Sequence, residues 1–174
     1  HALKKYSLLT DESSLPSSFE STLSLHRSTQ AMILAYFLKT LGREEVKIRA
    51  QSIANALKQV AVEELEKANT SHIKTLFNHF KVFLSHDQLL SSSTQSSLTF
   101  ELGRMYGYFS QYEKVKELLE QSLENLQKNN KEKDIQFAQI IAYLGSVYKE
   151  LANPHRSQEL LEQSLAIYIK NPVE

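Results

Sequence analysis

The chain has 174 residues, 41% hydrophobic and 23% charged, enough to bury one core or one elongated repeat array. Twenty Lys and Arg against twenty Asp and Glu leave no net field to draw in nucleic acid or an acidic membrane surface. Cysteine is absent, which excludes disulfides, thiolate metal sites and a cysteine nucleophile and suits a reducing, cytoplasmic setting.

The longest apolar run, Ala31 to Leu38, is too short to span a bilayer, so no membrane partner is expected. With only four glycines and three prolines to break it, the chain reads as helix almost throughout. In chain order, Ala2 to Leu9 has helical character, Asp11 to Ser18 reads as a polar loop around Pro16, and Thr22 to Leu25 is strand-like. A strongly apolar helix follows over Ser28 to Leu41. Two periodic helices come next. Arg43 to Lys67 gathers Val46, Ala50, Ile53, Leu57, Val60 and Ala61, and His72 to Ser85 gathers Ile73, Leu76, Phe77, Phe80 and Leu84. The polar run Ser91 to Ser97 then reads as a loop.

Beyond it the sequence repeats itself. Lys116 to Leu123 reads KELLEQSL and Gln158 to Leu165 reads QELLEQSL, an offset of 42 residues. The same offset carries Leu102-Gly103-x-x-Tyr106 onto Leu144-Gly145-x-x-Tyr148. Each copy is a helix pair. In the first, Leu98, Leu102, Met105, Tyr106 and Phe109 form one stripe, and Val115, Leu118, Leu119, Ser122, Leu123 and Leu126 the next. Ser110 with Glu113 has the spacing of a capping box between them. The second copy runs through Ile135, Ala138, Ile141, Ala142, Gly145, Tyr148 and Leu151. It turns at Asn153-Pro154, a cap followed by proline at the first helical position, and continues with Leu161, Ser164, Leu165 and Tyr168. Glycine inside a helix costs about 1 kcal/mol against alanine, so Gly103 and Gly145 call for close approach of the paired helix.

These residues resemble the tetratricopeptide repeat. A 34-residue unit counted from Ser96 and from Ala138 puts Leu-Gly at positions seven and eight and Tyr at eleven. Val115 and Ser157 fall at the small position twenty, and Ser122 and Ser164 at twenty-seven, where the family prefers alanine. Gln127 and Ile169 stand where the family has proline. The 42-residue period is similar to the kinesin-light-chain subclass. The resemblance implies an all-α fold, an antiparallel helix-pair solenoid whose first helices line a concave face. Its groove residues would be Ser97, Phe100, Arg104 and Tyr108 in one unit, and Gln139, Ala142, Ser146 and Glu150 in the next. A protein or peptide ligand would bind there, with Phe100, Arg104 and Tyr108 as an aromatic–Arg–aromatic row.

The order helix, loop, strand, helix over residues 2–41, with the wording LKKYSLLT and LSLHRSTQAMIL, is similar to the end of the winged-helix domain in signal-transducing ATPases of the NB-ARC (STAND) class. The implied organisation is the C-terminal part of a winged helix over 1–42, linking helices over 43–90, and two tetratricopeptide repeats over 96–174. In that class a His at the strand-to-helix junction touches the phosphate of bound ADP. The matching residue is His26, followed by Arg27 where many members carry Asp. The bland alternative is that His26 packs against or caps the next helix.

No Gly-x4-Gly-Lys-Ser/Thr loop surrounds any of the four glycines, so neither nucleotide hydrolysis nor a cofactor is expected of this chain. His72, His79 and His86 recur every seven residues, a rise of about 10 Å on a helix, which is too far for two imidazoles to share one zinc. Glu44-Glu45 and Glu63-Glu64 show no His partner in sequence and read as solvated helix faces. No Gly-x-Ser-x-Gly elbow is present. The expectation is a binding module and not an enzyme: the sensor arm of a signalling ATPase, or alternatively a free-standing adaptor or secreted effector. A DNA-binding role is disfavoured by the zero net charge and by the apolar character of residues 28–41.

Overall fold

The computed structural model describes residues 9–11, 23–25, 27–129 and 134–171, with side chains from residue 32 onward. It divides into two compact units, 1–48 and 49–174. In the first, β1 (Leu9–Asp11) pairs antiparallel with β2 (Leu23–Leu25), Leu9 opposite Leu25 and Asp11 opposite Leu23. Leu9 to Asp11 is therefore strand, not the end of a helix and the start of a loop. The remaining residues expected as helix and loop there lie outside the described residues. Helix α1 (Arg27–Leu41) follows as expected, and Met32, Tyr36 and Phe37 on it are exposed. Gly42, at φ +80°, breaks the chain between α1 and α2 (Arg43–Glu66).

The described residues of the second unit fall mostly in helices: most of α2, α3 (Thr70–Leu84), a 3-10 turn at Asp87–Leu89, α4 (Ser92–Tyr108), α5 (Tyr112–Lys128), α6 (Ile135–Glu150) and α7 (Pro154–Lys170). The expected loop at Ser91–Ser97 is the first turn of α4. The Ser91 hydroxyl accepts from the Thr94 amide, and Thr94 and Ser96 are buried, so this serine run caps and packs a helix. The turn between α4 and α5 also differs from expectation. Ser110 has φ +56°, Gln111 is the N-cap, and no side chain caps α5. At the next turn, Asn153 caps the Arg156 amide ahead of Pro154, as its sequence predicts.

The helix pairs repeat down to single hydrogen bonds. Ser122 Oγ donates to the Ser96 carbonyl at 3.4 Å, and Ser164 Oγ to the Ala138 carbonyl at 2.8 Å. Each serine is small enough to let the paired helices close and keeps its hydroxyl satisfied. Gly103 and Gly145 explain themselves in the same way: a Cβ there would stand 3.2 Å from Leu119 Cδ2 and 3.0 Å from Leu161 Cγ, respectively. The turn recurs one period upstream as well. Ala68, Ser110 and Ala152 all have positive φ, and the next amide (Asn69, Gln111, Asn153) donates to the carbonyl of Glu64, Tyr106 or Tyr148. The pair α2–α3, expected as linking helices, thus carries the same 42-residue register. Its backbones stand further apart than those of α4–α5 and α6–α7. Fully buried Phe80 occupies the place of Ser122 and Ser164, and Ala61 that of the two glycines.

Two apolar clusters hold the array. One joins Ala54, Ala61, Ile73, Leu76 and Phe80 to Leu98, Leu102 and Met105. The other joins Val115, Leu119 and Leu126 to Phe137, Ile140, Ile141 and Leu144. Ile53 and Val60 are exposed, because α2 turns its small residues Ala54 and Ala61 inward. Leu161 and Leu165, expected on the inner stripe of α7, are exposed too. Their counterparts Leu119 and Leu123 are covered by α6, and among the described residues no helix covers α7 in the same way.

Candidate functional site

The 42-residue register sets one row of residues across the three first helices. Lys58, Phe100 and Ala142 share the fifth position of their units, and Arg104 and Ser146 the ninth. The rows open onto a groove of about 550 Å³. Lys58 enters from α2. Phe100, Glu101 and Arg104 come from α4, and Gln139, Ala142, Tyr143 and Ser146 from α6, while Leu161 and Tyr168 of α7 close the far side.

Charge is concentrated in the middle. Glu101 is buried to 2% exposure, and Arg104 Nη1 donates to its Oε2 at 3.0 Å. Burial pushes the Glu101 carboxyl up, and the charges of Arg104 and Lys58 oppose that rise. Burial likewise pushes the Tyr143 hydroxyl up, against the attraction of Arg104. The Phe100 and Tyr143 rings meet edge to face, 5.7 Å between centroids. Tyr143 fits because Gly107 has no side chain: the tyrosine oxygen occupies the space a Cβ would fill. The result is a groove with an aromatic wall, a buried acid fixing a guanidinium, and a second cation in Lys58.

Five of the eight expected groove residues line this space: Phe100, Arg104, Gln139, Ala142 and Ser146. The other three do not. Ser97 Oγ accepts from Gln136 Nε2 at 2.9 Å and ties α4 to α6. The Tyr108 hydroxyl donates to the Ala68 carbonyl at 3.0 Å and lies 3.1 Å from Thr70 Oγ1, so it fastens α4 to the preceding turn. The expected aromatic–Arg–aromatic row is therefore broken at Tyr108. Glu150 is exposed and outside the lining. His26 lies outside the described residues.

Sequence reasoning missed Lys58, Glu101, Tyr143, Leu161 and Tyr168. Lys58 was findable, because it precedes Phe100 by one full period. Glu101 carried no such signal, since nothing in sequence distinguishes a buried acid at the sixth position from a solvated one. A second acid expected on a solvated face is buried as well. Glu64, read as solvated, is 9% exposed, with His72 Nδ1 at 2.9 Å and Lys67 Nζ at 3.4 Å. Burial pulls its carboxyl up, but the hydrogen bonds and charges of His72 and Lys67 prevail and hold it below the usual range. Among the described residues no three His, Asp or Glu side chains cluster as metal ligands. No helix among them is long and apolar enough to cross a membrane.

The fold has solved counterparts. The chain is similar to BtubC (BKLC) from P. vanneervenii, with a TM-score of 0.61 and 17% identity over 82% of this chain and 53% of that one. It therefore spans about half the length of that structure. It is also similar to the TPR domain of Arabidopsis FLU, with a TM-score of 0.59 and 13% identity over 72% of this chain and 99% of that domain. No family model and no curated protein sequence matches the chain. The architecture is that of a tetratricopeptide-repeat solenoid.

Proposed function

We propose that the chain is a protein-interaction module without catalytic activity, and that its groove receives a peptide segment of a partner. One observation carries this reading. The fifth-position residues of three successive first helices, and the ninth-position residues of the last two, converge on one open groove that pairs aromatic anchors with two cations. Aromatic and Arg side chains supply most of the energy in protein interfaces. The groove contains no nucleophile beside a base and no metal cluster, so its chemistry suits recognition. To test it, a partner is recovered by pull-down and its affinity compared for Arg104→Glu and for Lys128→Glu, a control outside the groove. Groove binding requires a loss with Arg104→Glu and little change with Lys128→Glu, at unchanged melting temperature. Equal losses would reject the assignment.

At a finer level, we infer that the module is the sensor arm of a signalling ATPase of the NB-ARC class. The wording of residues 2–41 and the order of strand, helix and repeats support this, as does the placement of β2 directly ahead of α1 with His26 between them. The inference predicts a Gly-x4-Gly-Lys-Ser/Thr loop upstream in the same reading frame. A native reading frame without one would favour a free-standing adaptor.

A further inference from the structure

A second charged surface lies away from the groove and shares no residue with its lining. Three rings form its floor: Phe77 of α3, Tyr106 of α4, and Phe109 just beyond α4. The centroids are 4.8 Å apart for Phe77–Tyr106 and 5.8 Å for Phe77–Phe109. Three lysines stand over this floor. Lys74 Nζ is 5.9 Å from the Phe109 ring, and Lys81 Nζ is 5.9 Å from Phe77 and 6.0 Å from Tyr106. Lys114 Nζ is 5.2 Å from Tyr106. All three side chains are exposed. Each ammonium group lies near a ring face, yet none of the three has a carboxylate within ion-pair distance among the described residues. Lys114 has only the neutral Gln111 Oε1 at 2.9 Å.

The next repeat shows what compensation looks like. One period on, Lys74 becomes Lys116, which pairs with Glu113 at 2.9 Å. Lys114 becomes Arg156, which pairs with Glu159 at 2.8 Å. Tyr106 becomes Tyr148, whose hydroxyl donates to Glu120 at 2.7 Å. In the earlier repeat Ser71 stands at the register of Glu113 and Asn78 at that of Glu120, while Glu117 keeps the register of Glu159 but makes no ion pair with Lys114. Helix α3 carries no acidic residue at all. Phe77, Phe109 and Lys81 give way to Leu119, Leu151 and Leu123 in that repeat, so among the described residues the lysine-framed aromatic surface stands between α3 and α5 alone.

We propose that this lysine-framed aromatic furrow is a second interaction surface, which binds an acidic segment of a partner protein. Charge complementarity defines the occupant. Three exposed ammonium groups around three clustered rings match a short run of carboxylates. A continuous phosphate backbone would run on past the furrow and meet Glu113, Glu117 and Glu120, all exposed on the same helix as Lys114. A bilayer surface would find little to insert, since Val82 is the one large apolar side chain on α3 that is mostly exposed.

The test titrates the whole chain with a short, fluorescently labelled poly-glutamate peptide, and measures anisotropy at low and at physiological ionic strength. Saturable binding is expected, weakening with salt. It should fall at least about tenfold in Lys74→Glu/Lys81→Glu and stay unchanged in the groove variant Arg104→Glu. Should the charge reversal lower the melting temperature, Lys74→Gln/Lys81→Gln serves in its place and should also weaken binding. Absence of binding at low salt would overturn the proposal, as would equal affinity for the lysine variants or a loss confined to Arg104→Glu. A single-stranded oligonucleotide or phosphatidylserine vesicles binding through these lysines while the peptide does not would overturn it too.

Discussion

Gly103 and Gly145 should respond differently to the same substitution. Replacing glycine by alanine inside a helix gains about 1 kcal/mol of propensity. Overpacking a close contact costs roughly 1–3 kcal/mol. At Gly103 the added methyl meets Leu119 Cδ2 at 3.2 Å, and its next contacts, 3.7 and 3.8 Å, are ordinary. One side-chain tip has to give by a few tenths of an ångström, so Gly103→Ala should lie within about 0.5 kcal/mol of wild type. At Gly145 the methyl meets Leu161 Cγ at 3.0 Å, its Cδ2 at 3.2 Å, and the Ser157 carbonyl oxygen at 3.2 Å. Leu161 is 43% exposed and can swing outward, but the carbonyl belongs to the backbone of α7. The helix itself must shift, and Gly145→Ala should lose up to about 2 kcal/mol net. For a chain of this size that is about 2–4 °C in Tm per kcal/mol. Urea and thermal unfolding followed by far-ultraviolet circular dichroism measure both. Ala61, which already stands at this register in the wider α2–α3 pair, shows that alanine is accepted once the helices separate. Gly145→Ala matching or exceeding Gly103→Ala in stability would refute the close-approach argument.

Phe80→Ala should cost about 3–5 kcal/mol, because a fully buried ring props α2 and α3 apart. Ser122→Ala at the same register should cost about 1 kcal/mol or less in the same urea titration. Tyr108→Phe removes the hydroxyl bonded to Ala68 and should lower stability by about 0.5–1.5 kcal/mol, yet leave peptide affinity unchanged. A loss of affinity at unchanged stability would return Tyr108 to the groove. Glu101 makes a pH prediction. Its folded carboxyl titrates above the unfolded value of 4.5, so the folded state holds the proton more tightly. Stability from this group is greatest below the unfolded value and declines as pH rises towards the folded one. Glu101→Gln should remove that decline, and a melting-temperature profile as steep as wild type over this window would disprove it. Glu64, held low by His72 and Lys67, runs the other way and loses its contribution as pH falls.

How much of this was legible depends on which residues carried a signal. The 42-residue offset gave the last two helix pairs, because Leu-Gly-x-x-Tyr and LLEQSL recur letter for letter. It did not reach α2 and α3, where alanine replaces glycine and phenylalanine replaces serine. The upstream pair solves the same packing problem with different volumes, so its register shows in the backbone alone. The turns were opaque for a related reason. Ala68, Ser110 and Ala152 adopt a left-handed conformation that sequence reading assigns to glycine or asparagine, and backbone hydrogen bonds hold them there. Ser110 therefore looked like a cap. In the groove, helical spacing placed Phe100, Arg104, Gln139, Ala142 and Ser146 correctly. It could not show that Tyr108 leans to a neighbouring turn, because that depends on where another unit ends.

Those three left-handed turns mark unused headroom for protein engineering. A non-glycine residue in this region carries about 1–2 kcal/mol of steric penalty, and the chain accepts it three times in one recurring design. None of the three lines the groove, and Ser110 is exposed at its turn. Glycine or asparagine at these sites would relax the backbone without touching a recognition residue. The repeat thus offers a route to a tougher scaffold on which the groove can be redesigned, with stability and specificity adjusted on separate sets of positions.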